Sequence, residues 1–368
     1  MRVLSFYKTA LPDSVGGVEQ VISQLSRGAN KLGVEVDILT TSTHAVPPQK
    51  IDGYMLHRAK LDIHIASTSF SMAAVSMFAS LSKKADLIHY HFPWPFMDMV
   101  HFLTRVKKPT LLTYHSDIIR QKNLLRVYRP LKSAFLNNVN HIVATSPNYF
   151  ATSDVLTKFK EKVSVIPIGL DKNSYLTPSS ERLEYWRTLV GDRFFLFVGV
   201  LRYYKGLHIL MEAAQGTDYP IVIIGAGPIE LELKAQASRL GLNNVHFLGR
   251  LPEEDKVALL ALCYSVVFPS HLRSEAFGVS LLEGAMYGKP MISSEIGTGT
   301  TFINIADETG LVVPPGDPLA LRNAMYRLWN NPQLAAEMGK KAEARYWQNF
   351  TADQMVQSYV DLYKSLVK

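Results

Sequence analysis

Two glutamates stand eight residues apart in the stretch 271-HLRSEAFGVSLLEGAMYGKPMISS-294, which follows the apolar run YSVVFPS. The apolar run predicts a strand, and the next residues predict a helix that begins near Phe277 with Gly278 in its first turn. Eight residues of helix rise about 12 Å, so Glu275 and Glu283 match the two ends of an elongated ligand. Carboxylates accept paired hydrogen bonds from hydroxyls, and a helix N-terminus favours anions. The pattern indicates a hydroxylated, anionic ligand; two glutamates without a shared task are the alternative.

Three further loops follow predicted strands of the second half and carry residues suited to a phosphate-containing ligand. In FVGVLRYYKGL, Arg202 and Lys205 precede a helix, and the cations and the helix amides all favour a diphosphate. In IIGAGP, Gly227 completes a Gly-x-Gly that lets a backbone approach a ligand closely. In FLGRL, the backbone around Arg250 can bond the edge of a base. A surface basic pair, a tight turn and an ordinary turn are the respective alternatives.

These loops belong to a chain that alternates strands and helices in two runs. The first run extends from MRVLSF to VSVIPIGL, and the second restarts at FFLFVGV after a segment rich in polar and turn-forming residues. Such alternation predicts parallel sheets covered by helices on both faces. We predict the α/β class, with two facing Rossmann-like domains and a deep inter-domain cleft, where ligands bind beyond the carboxyl ends of the strands. The predicted parts are a first domain over 1–170, a linker over 171–187, a second domain over 188–345, and a C-terminal helix over 346–368 that packs back on the first domain.

The composition indicates a folded protein of a reducing compartment. The chain has 368 residues, of which 47% are hydrophobic and 19% charged, which suits the cores of two domains. Its one cysteine, Cys263, excludes a disulfide framework. The N-terminus lacks the apolar stretch of a signal peptide, and no run of about eighteen apolar residues predicts a membrane span. We therefore predict a cytoplasmic protein.

The positive charge is concentrated in one window of the chain. The formal net charge is +7, and residues 105–132 alone hold eight basic residues against the single acid Asp117. Such a patch suits nucleic acid, anionic lipid or a phosphorylated substrate, and a solvated basic face is the alternative. Because no nucleic-acid-binding motif accompanies the patch, we predict no nucleic-acid partner.

Taken together, the motifs resemble those of a known enzyme family. The segments EAFGVSLLE and GAMYGKP are similar to the E-x7-E region of retaining GT-B glycosyltransferases of family GT4. The order of motifs also matches: a Gly-Gly loop after the first strand, a Lys-Gly loop, Gly-x-Gly, and then E-x7-E. Within the family, VGVLRYYKGL and EIGTGTTFIN resemble bacterial O-antigen mannosyltransferases, which use GDP-mannose.

This resemblance implies a retaining transferase that moves a hexose to a lipid-linked glycan in O-antigen or related polysaccharide assembly. The first expectation for the hexose is mannose, with GDP-mannose as the donor. The first domain would bind the acceptor and the second the nucleotide sugar. GDP-rhamnose or a UDP sugar stays open as the donor. A sugar-nucleotide epimerase of the UDP-GlcNAc type is a further alternative, which fits Lys205 and Gly206 with E-x7-E less well. An NAD dehydrogenase fits least, because G-A-G-P lacks the third glycine of a dinucleotide fingerprint.

The resemblance implies four residues that act in the reaction. Glu275 would bond the hydroxyls of the donor sugar, and Arg202 and Lys205 would hold the diphosphate while its charge grows. His115, at the end of the strand TLLTYHS, would lie near the transferred sugar. Family members often carry arginine directly after the strand glycine, where this chain has Val200. Whether Arg202 replaces that arginine stays open at this point.

The implied donor-binding set is wider than these four. Glu283 would bond the ribose, and Phe277 and Gly278 would offer backbone amides to sugar or phosphate. Gly17 would let the first-domain loop approach the phosphate. The donor-binding set is completed by Arg202, Lys205, Gly227, Arg250 and Val279.

The resemblance also bears on mechanism and metals. The family has no agreed carboxylate nucleophile, so front-face attack is implied, with the leaving phosphate as the base for the acceptor hydroxyl. No Asp-x-Asp occurs in the chain, which argues against a metal-dependent GT-A enzyme. We therefore predict no metal and no cofactor, the nucleotide sugar being a substrate. His89 and His91 point to one face of a strand, and without a third ligand they indicate packing or an acceptor contact.

The basic window gains a role from the same resemblance. Acceptors of O-antigen enzymes are polyprenyl-diphosphate-linked glycans at the inner membrane surface. A helix over 121–138 would place basic residues among apolar ones, which is typical of an interfacial helix. Its apolar residues are Leu124, Leu125, Val127, Tyr128, Leu131 and Phe135. We thus predict that residues 105–132 bind an anionic membrane, the inner face of the plasma membrane, with a solvated face as the alternative.

Overall fold

The chain folds into two compact units. The computed structural model describes residues 1–14, 16–44, 46–65, 68–118 and 122–368, with the backbone alone for residues 122–125. The first unit comprises Met1–Gly169 and Ala352–Lys368, and the second comprises Leu170–Thr351. Within the described ranges, every helix is too short or too polar to cross a lipid bilayer.

The first unit is built on an eight-stranded sheet. The strands of the unit, including two that lie outside this sheet, are in chain order β1 (Arg2–Phe6), β2 (Glu35–Ser42), β3 (Gln49–Ile51), β4 (Tyr54–Lys60), β5 (Ile63–Ile65), β6 (Thr68–Phe70), β7 (Leu87–Phe92), β8 (Thr110–Tyr114), β9 (His141–Ala144) and β10 (Val163–Val165). The sheet has the order β10-β9-β8-β7-β1-β2-β4-β3 and is parallel except for β3, while β5 and β6 form a separate hairpin. All six residues of β7 are buried, as expected for a central parallel strand.

Helices cover this sheet. They are α1 (Gly17–Lys31), α2 (Met72–Lys84), α3 (Pro95–Leu103), α4 (Lys122–Asn138) and α5 (Pro147–Thr152), and a 3-10 turn follows at Leu156–Lys162. Apolar residues recur at helical spacing along α1, and Val21, Ile22, Leu25 and Ala29 are buried. Leu32 is exposed because it follows the last helical residue.

The second unit is built on a smaller, six-stranded Rossmann-like sheet. Its strands are β11 (Phe195–Val198), β12 (Ile221–Ile224), β13 (Val245–Gly249), β14 (Ser265–Phe268), β15 (Met291–Ser294) and β16 (Gly310–Val313). All six are parallel, in the order β13-β12-β11-β14-β15-β16. The predicted α/β class, with two Rossmann-like halves, is confirmed.

Eight helices of the second unit lie among the described residues. They are α6 (Ser180–Val190), α7 (Leu207–Ala214), α8 (Glu230–Arg239), α9 (Glu253–Leu262), α10 (Val279–Met286), α11 (Thr300–Ile303), α12 (Pro318–Trp329) and α13 (Pro332–Asn349). Much of the predicted linker is helix α6, which the Ser179 side chain caps and which Trp186 ties to Asp255 of α9. The turn-forming residues that suggested a linker therefore lie before a capped helix of the second unit.

The last helix, α14 (Ala352–Val367), belongs to the first unit. It packs against α1, where a side chain at Gly28 would overlap Val356. The hydroxyl of Tyr359 bonds Thr113 of β8, and that of Tyr363 bonds His89 of β7. The segment predicted as one helix over 346–368 is divided, because α13 continues to Asn349 before α14 begins.

Candidate active site

Each sheet has a point at which its connections reverse direction, and ligands bind beyond the carboxyl ends of the strands there. In the second unit, β11 lies between β12 and β14. The loop after β11 contains Lys205, and the loop after β14 contains Glu275. Because β11 and β14 are neighbours and parallel, these two loops emerge side by side.

Lys205 ends a 3-10 turn (Tyr203–Lys205) and is held there by the next residue. Gly206 has a φ of 71°, and an added Cβ would lie 2.0 Å from the carbonyl oxygen of Pro269. Only glycine fits this close approach of the two loops. The loop directs the Lys205 ammonium group over the ring of Phe268, 4.6 Å from its centroid.

Lys205 and Glu275 form a buried ion pair. The Lys205 ammonium donates to Glu275 Oε2, and the Ser270 hydroxyl donates to the same oxygen at 3.4 Å. The structure thus brings together a cation suited to phosphate and a carboxylate suited to sugar hydroxyls. The sequence placed both in the site but did not show that they contact each other.

The helix after Glu275 begins two residues later than predicted. Gly278, with a φ of 98°, precedes the first helical residue, Val279. Phe277 is buried, and an added Cβ at Gly299 would lie 2.6 Å from its ring. The left-handed glycine turns the chain, so the first free amides of α10 start at Val279, close after Glu275.

Glu283 lies on α10 and is 3% exposed. Its Oε1 accepts hydrogen bonds from the Tyr175 hydroxyl and from the Lys256 ammonium, each at 2.9 Å. Burial and the Glu283 charge raise the pKa of Tyr175, and burial and Glu283 raise the pKa of Tyr287 to about 12. Burial alone would lower the pKa of Lys256, but Glu283 and Glu253 outweigh it and raise that pKa.

The Gly-x-Gly loop after β12 is explained by packing of one loop on another. An added Cβ at Gly225 would lie 2.0 Å from the Gly199 carbonyl oxygen, and one at Gly227 would lie 2.3 Å from that of Leu201. Both glycines therefore let this loop pack on the loop after β11. The side of each glycine where a Cβ would stand is thus taken up by the protein's own backbone, and the ligand contact of Gly227 stays a prediction.

Arg202, Arg250 and Val200 are exposed on loops of the second unit. Arg202 starts the 3-10 turn before Lys205, and no ion pair or hydrogen bond of its side chain occurs within the described residues. Arg250 follows β13, and Val200 follows Gly199. A cation at 202 is thus accessible on the loop that has Val200 directly after Gly199.

Gly17 and His115 lie in the first unit. Gly17 is the first, exposed residue of α1, and the loop before it is fixed by Glu19. The Glu19 carboxylate accepts from the hydroxyls of Thr9, at 2.8 Å, and Ser14, at 3.1 Å. An added Cβ at Gly16 would lie 2.6 Å from Glu19 Oε2, so this glycine accommodates the carboxylate.

His115 follows β8 and belongs to a buried hydrogen-bonded cluster. Its Nε2 lies 3.1 Å from Nδ1 of His91, whose Nε2 lies 3.0 Å from the hydroxyl of Ser5. His89 bonds Thr113 at 2.7 Å, and its ring centroid lies 4.2 Å from that of His91. Burial lowers the pKa of His89 and of His115 to about 3, so both rings are neutral.

No metal site accompanies these histidines in the part of the chain that the structure describes: no three His, Cys, Asp or Glu side chains are grouped to hold an ion. His89 and His91 instead have hydroxyl and imidazole partners. These partners are consistent with packing, one of the two roles that the sequence left open for the pair.

The basic window divides between exposed cations and inward-facing apolar residues. Arg105, Lys107, Arg126 and Arg129 are exposed, whereas Arg120 and the side chain of Lys122 lie outside the described residues. Phe135 is buried against Tyr90, and the Tyr128 hydroxyl donates to buried Asp98 of α3. The prediction that Phe135 belongs to an apolar interfacial face is wrong, because Phe135 is buried in the protein core. Tyr128 is half-buried, and its hydroxyl is directed to Asp98.

Sequence reasoning missed the residues that hold the predicted ones in place. Lys256 and Tyr175 fix Glu283, and Ser5 bonds His91, which in turn bonds His115. His91 itself was singled out, but its contact with His115 was not predicted. Helix α9, which carries Lys256, was not predicted, although its three acidic residues at 253–255 are typical of a helix start. Tyr175 lay in the predicted linker, where no signal marked it.

Comparison with known proteins gives concordant results. The model of "Glycosyl transferases group 1" matches residues 186–345, and that of "Glycosyltransferase Family 4" matches residues 15–174. D-rhamnosyltransferase WbpZ of Pseudomonas aeruginosa is 63% identical over 353 residues, covering 96% of this chain and 93% of that protein. O-antigen chain mannosyltransferase C of Escherichia coli is 50% identical, covering 100% and 99%.

Solved structures support the fold. Sucrose-phosphate synthase of Thermosynechococcus elongatus matches with a TM-score of 0.83 at 22% identity, covering 99% of this chain and 98% of that one. Anabaena HepE in complex with UDP-glucose matches with a TM-score of 0.79 at 21% identity, covering 99% and 100%. Because the relatives at 63% and 50% identity span nearly the whole chain, the protein belongs to glycosyltransferase family 4 and has the GT-B fold.

Proposed function

We propose that the protein is a retaining transferase of O-antigen assembly that moves a D-rhamnosyl unit from a GDP-linked donor to a lipid-linked glycan. The observation that carries this proposal is the 63% identity to a D-rhamnosyltransferase across 96% of the chain. Transfer of D-mannose from GDP-mannose is the second candidate, because the relative named as a mannosyltransferase is 50% identical over the full chain. D-rhamnose is 6-deoxy-D-mannose, so the two donors differ only at C6.

The Lys205–Glu275 pair supports binding of a sugar diphosphate. In the free protein each group neutralises the other, so neither charge is buried alone. A bound diphosphate takes Lys205 as its cation, and Glu275 then accepts hydrogen bonds from the sugar hydroxyls. Lys205 stabilises the negative charge that grows on the leaving phosphate, and exposed Arg202 adds a second cation.

Glu283 supports the opposite end of the donor. Both of its hydrogen bonds within the described residues fall on Oε1, which leaves Oε2 to accept from a ribose hydroxyl. Tyr175 and Lys256 hold the carboxylate in one orientation, so little side-chain entropy is lost on binding. The amides from Val279 onwards, together with Phe277 and Gly278, would meet the phosphates between these ends. Gly17, Gly227 and Arg250 remain proposed donor contacts.

The proposed reaction uses no metal, no cofactor and no enzyme nucleophile. The acceptor hydroxyl attacks C1 from the face that the diphosphate leaves, and the departing phosphate oxygen takes the hydroxyl proton. The C1–O bond to phosphate breaks as the new glycosidic bond forms, and GDP is released. Retention of the anomeric configuration follows from attack on that face.

The test is a transfer assay with purified protein, GDP-D-rhamnose or GDP-mannose, and a synthetic polyprenyl-diphosphate glycan. We expect a higher kcat/KM with GDP-D-rhamnose, an α-linked product, and loss of transfer in Glu275→Gln. Glu232→Gln, an exposed change on α8, is the matched control. Higher kcat/KM with GDP-mannose would favour the second candidate, and turnover with UDP sugars alone would refute both.

We further propose that the first unit binds an anionic membrane surface, where the protein reaches its lipid-linked acceptor. Exposed Arg105, Lys107, Arg126 and Arg129 supply positive charge, and exposed apolar side chains lie on the neighbouring elements. Contacts join the β5–β6 hairpin to α3 and α3 to α4, so these side chains share one region. They are Ile63, Ile65, Met99, Phe102, Leu103 and Val127. Basic and apolar groups together are typical of interfacial binding.

Vesicles that contain phosphatidylglycerol test this surface. We expect Arg126→Gln/Arg129→Gln to weaken sedimentation with the vesicles, whereas Lys340→Gln/Lys341→Gln, with the same loss of charge on α13, does not. Leu103→Ser should weaken binding at high salt, where charge attraction is screened. Equal binding by all variants would contradict the proposal.

A further inference from the structure

We propose that Ser5 and His91 are positioning residues that hold His115 with its ring hydrogen on Nδ1, so that His115 presents a hydrogen-bond donor to a bound sugar. The inference rests on the proposed function for the identity of the ligand. The tautomer of His115 follows from this chain's own hydrogen bonds.

The three side chains form one buried row at the carboxyl end of the sheet. Ser5 is on β1, His91 on β7, and His115 directly follows β8. The Ser5 hydroxyl lies 3.0 Å from Nε2 of His91, and Nδ1 of His91 lies 3.1 Å from Nε2 of His115. The planes of the His91 and His115 rings are nearly parallel, with an interplanar angle of 19° and centroids 5.3 Å apart, which is consistent with a hydrogen bond between two ring nitrogens.

Counting hydrogens selects one arrangement of this row. Since burial keeps His91 and His115 neutral, each ring carries one N–H hydrogen. The hydrogen bond between the two rings uses the hydrogen of one of them. If His91 donates from Nδ1, its Nε2 accepts from the Ser5 hydroxyl, and every group is satisfied. If His115 donates instead, His91 must donate to Ser5, and the Ser5 hydroxyl hydrogen is left without an acceptor among the described residues. Buried donors are rarely left unpaired, so the first arrangement is favoured.

In that arrangement, Nε2 of His115 accepts from His91 and Nδ1 carries the hydrogen. Within the ranges that the structure describes, Nδ1 of His115 has no hydrogen-bond partner, and the surrounding protein does not enclose it completely. It is therefore open to a ligand. A donor N–H at this point suits a sugar hydroxyl or a phosphate oxygen, whereas a bare ring nitrogen would repel phosphate.

A second set of bonds fixes the row from behind. His89 packs on His91, and it bonds Thr113 and the hydroxyl of Tyr363 from α14. Tyr359, also on α14, bonds Thr113. These contacts hold His89 against His91, so the row is ordered by the fold before a ligand arrives.

The tautomer is measured directly by long-range ¹H–¹⁵N correlation spectra of the full chain with labelled histidine. The signals of His115 are assigned by their loss in His115→Gln. We expect Nδ1 to show the shift of a protonated nitrogen and Nε2 that of an unprotonated one. Ser5→Ala should mix the two forms, while Ser164→Ala, which removes the hydroxyl partner of His141 in the same sheet, should not. Hydrogen on Nε2 in the parent, or no change in Ser5→Ala, would overturn the proposal.

Kinetics test whether the position matters for transfer. We expect His91→Leu to lower kcat about ten-fold or more, whereas His91→Asn, whose amide nitrogen takes the place of Nδ1, stays within about three-fold of the parent. His91→Leu/His115→Leu should be no slower than His115→Leu, because His91 acts through His115. Losses that multiply would refute the positioning role. The spectra need no turnover, so absence of transferase activity would refute the proposed function alone.

Discussion

Removing the cation beside Glu283 provides a quantitative test of the site. The side chains of Lys256 and Glu283 are 12% and 4% exposed and lie 2.9 Å apart. Lys256→Met leaves the Glu283 carboxylate buried without a counter-charge. Removing one partner of such a pair costs about 3–5 kcal/mol, and the remaining Tyr175 hydrogen bond places this case at about 3 kcal/mol. For a domain of this size, that corresponds to a fall in Tm of about 6–12 °C.

The assay is thermal unfolding of the full chain, followed by fluorescence, for four proteins: the parent, Lys256→Met, Glu283→Gln and the double variant. The double variant should be more stable than Lys256→Met, because no buried charge remains unpaired. Lys234→Met is the matched control, since it breaks an exposed pair with Glu230 that is worth less than about 1 kcal/mol. The reasoning is refuted if Lys256→Met is as mild as Lys234→Met, or if the effects of the two single changes add in the double variant.

Three further predictions concern the loops and the histidines. Gly206→Ala should lower Tm clearly more than Gly216→Ala, because both have left-handed φ angles but only Gly206 faces a backbone carbonyl, with Gly216 in open space; equal shifts would contradict the role of the close approach. Arg202→Ala should raise the KM for the donor about ten-fold without changing Tm, as expected for one exposed charged hydrogen bond; an unchanged KM would remove Arg202 from the site. Because burial lowers the pKa of His89 to about 3 while the unfolded chain takes up this proton below about 6.5, stability should fall as pH falls from 7 to 5, by about 2 kcal/mol for this residue. Urea titrations at pH 7 and pH 5 should show a smaller loss of unfolding free energy in His89→Asn than in the parent, whereas exposed His64→Asn should lose as much as the parent. If His89→Asn also loses as much as the parent, His89 is protonated in the native state.

The sheets could be predicted because their strands carry a strong local signal. The strands β11 and β12 are short apolar runs, as buried parallel strands require. The motif loops could also be placed, since parallel strands align their carboxyl ends. The hairpin of β5 and β6 was missed because its short strands pair with each other and are partly exposed.

The partners of the site residues could not be predicted, because they are set by tertiary contacts. Lys205 and Glu275 are 70 residues apart in sequence, and nothing local indicates that they form an ion pair. The start of α10 depends on the left-handed Gly278, which looked like an ordinary residue of a first helical turn. The glycines 225 and 227 suggested a ligand loop, yet the backbone that approaches them belongs to the preceding loop.

We propose that the switch-point loops of the second unit bind a GDP-linked sugar. Isothermal titration of GDP, UDP and ADP into the parent, Lys205→Met and Glu283→Ala tests it most directly. We expect GDP to bind the parent more tightly than UDP or ADP and to bind both variants at least about ten-fold more weakly. Preference for UDP or ADP, or equal GDP affinity in all three proteins, would show that these loops do not bind a GDP-linked sugar as proposed.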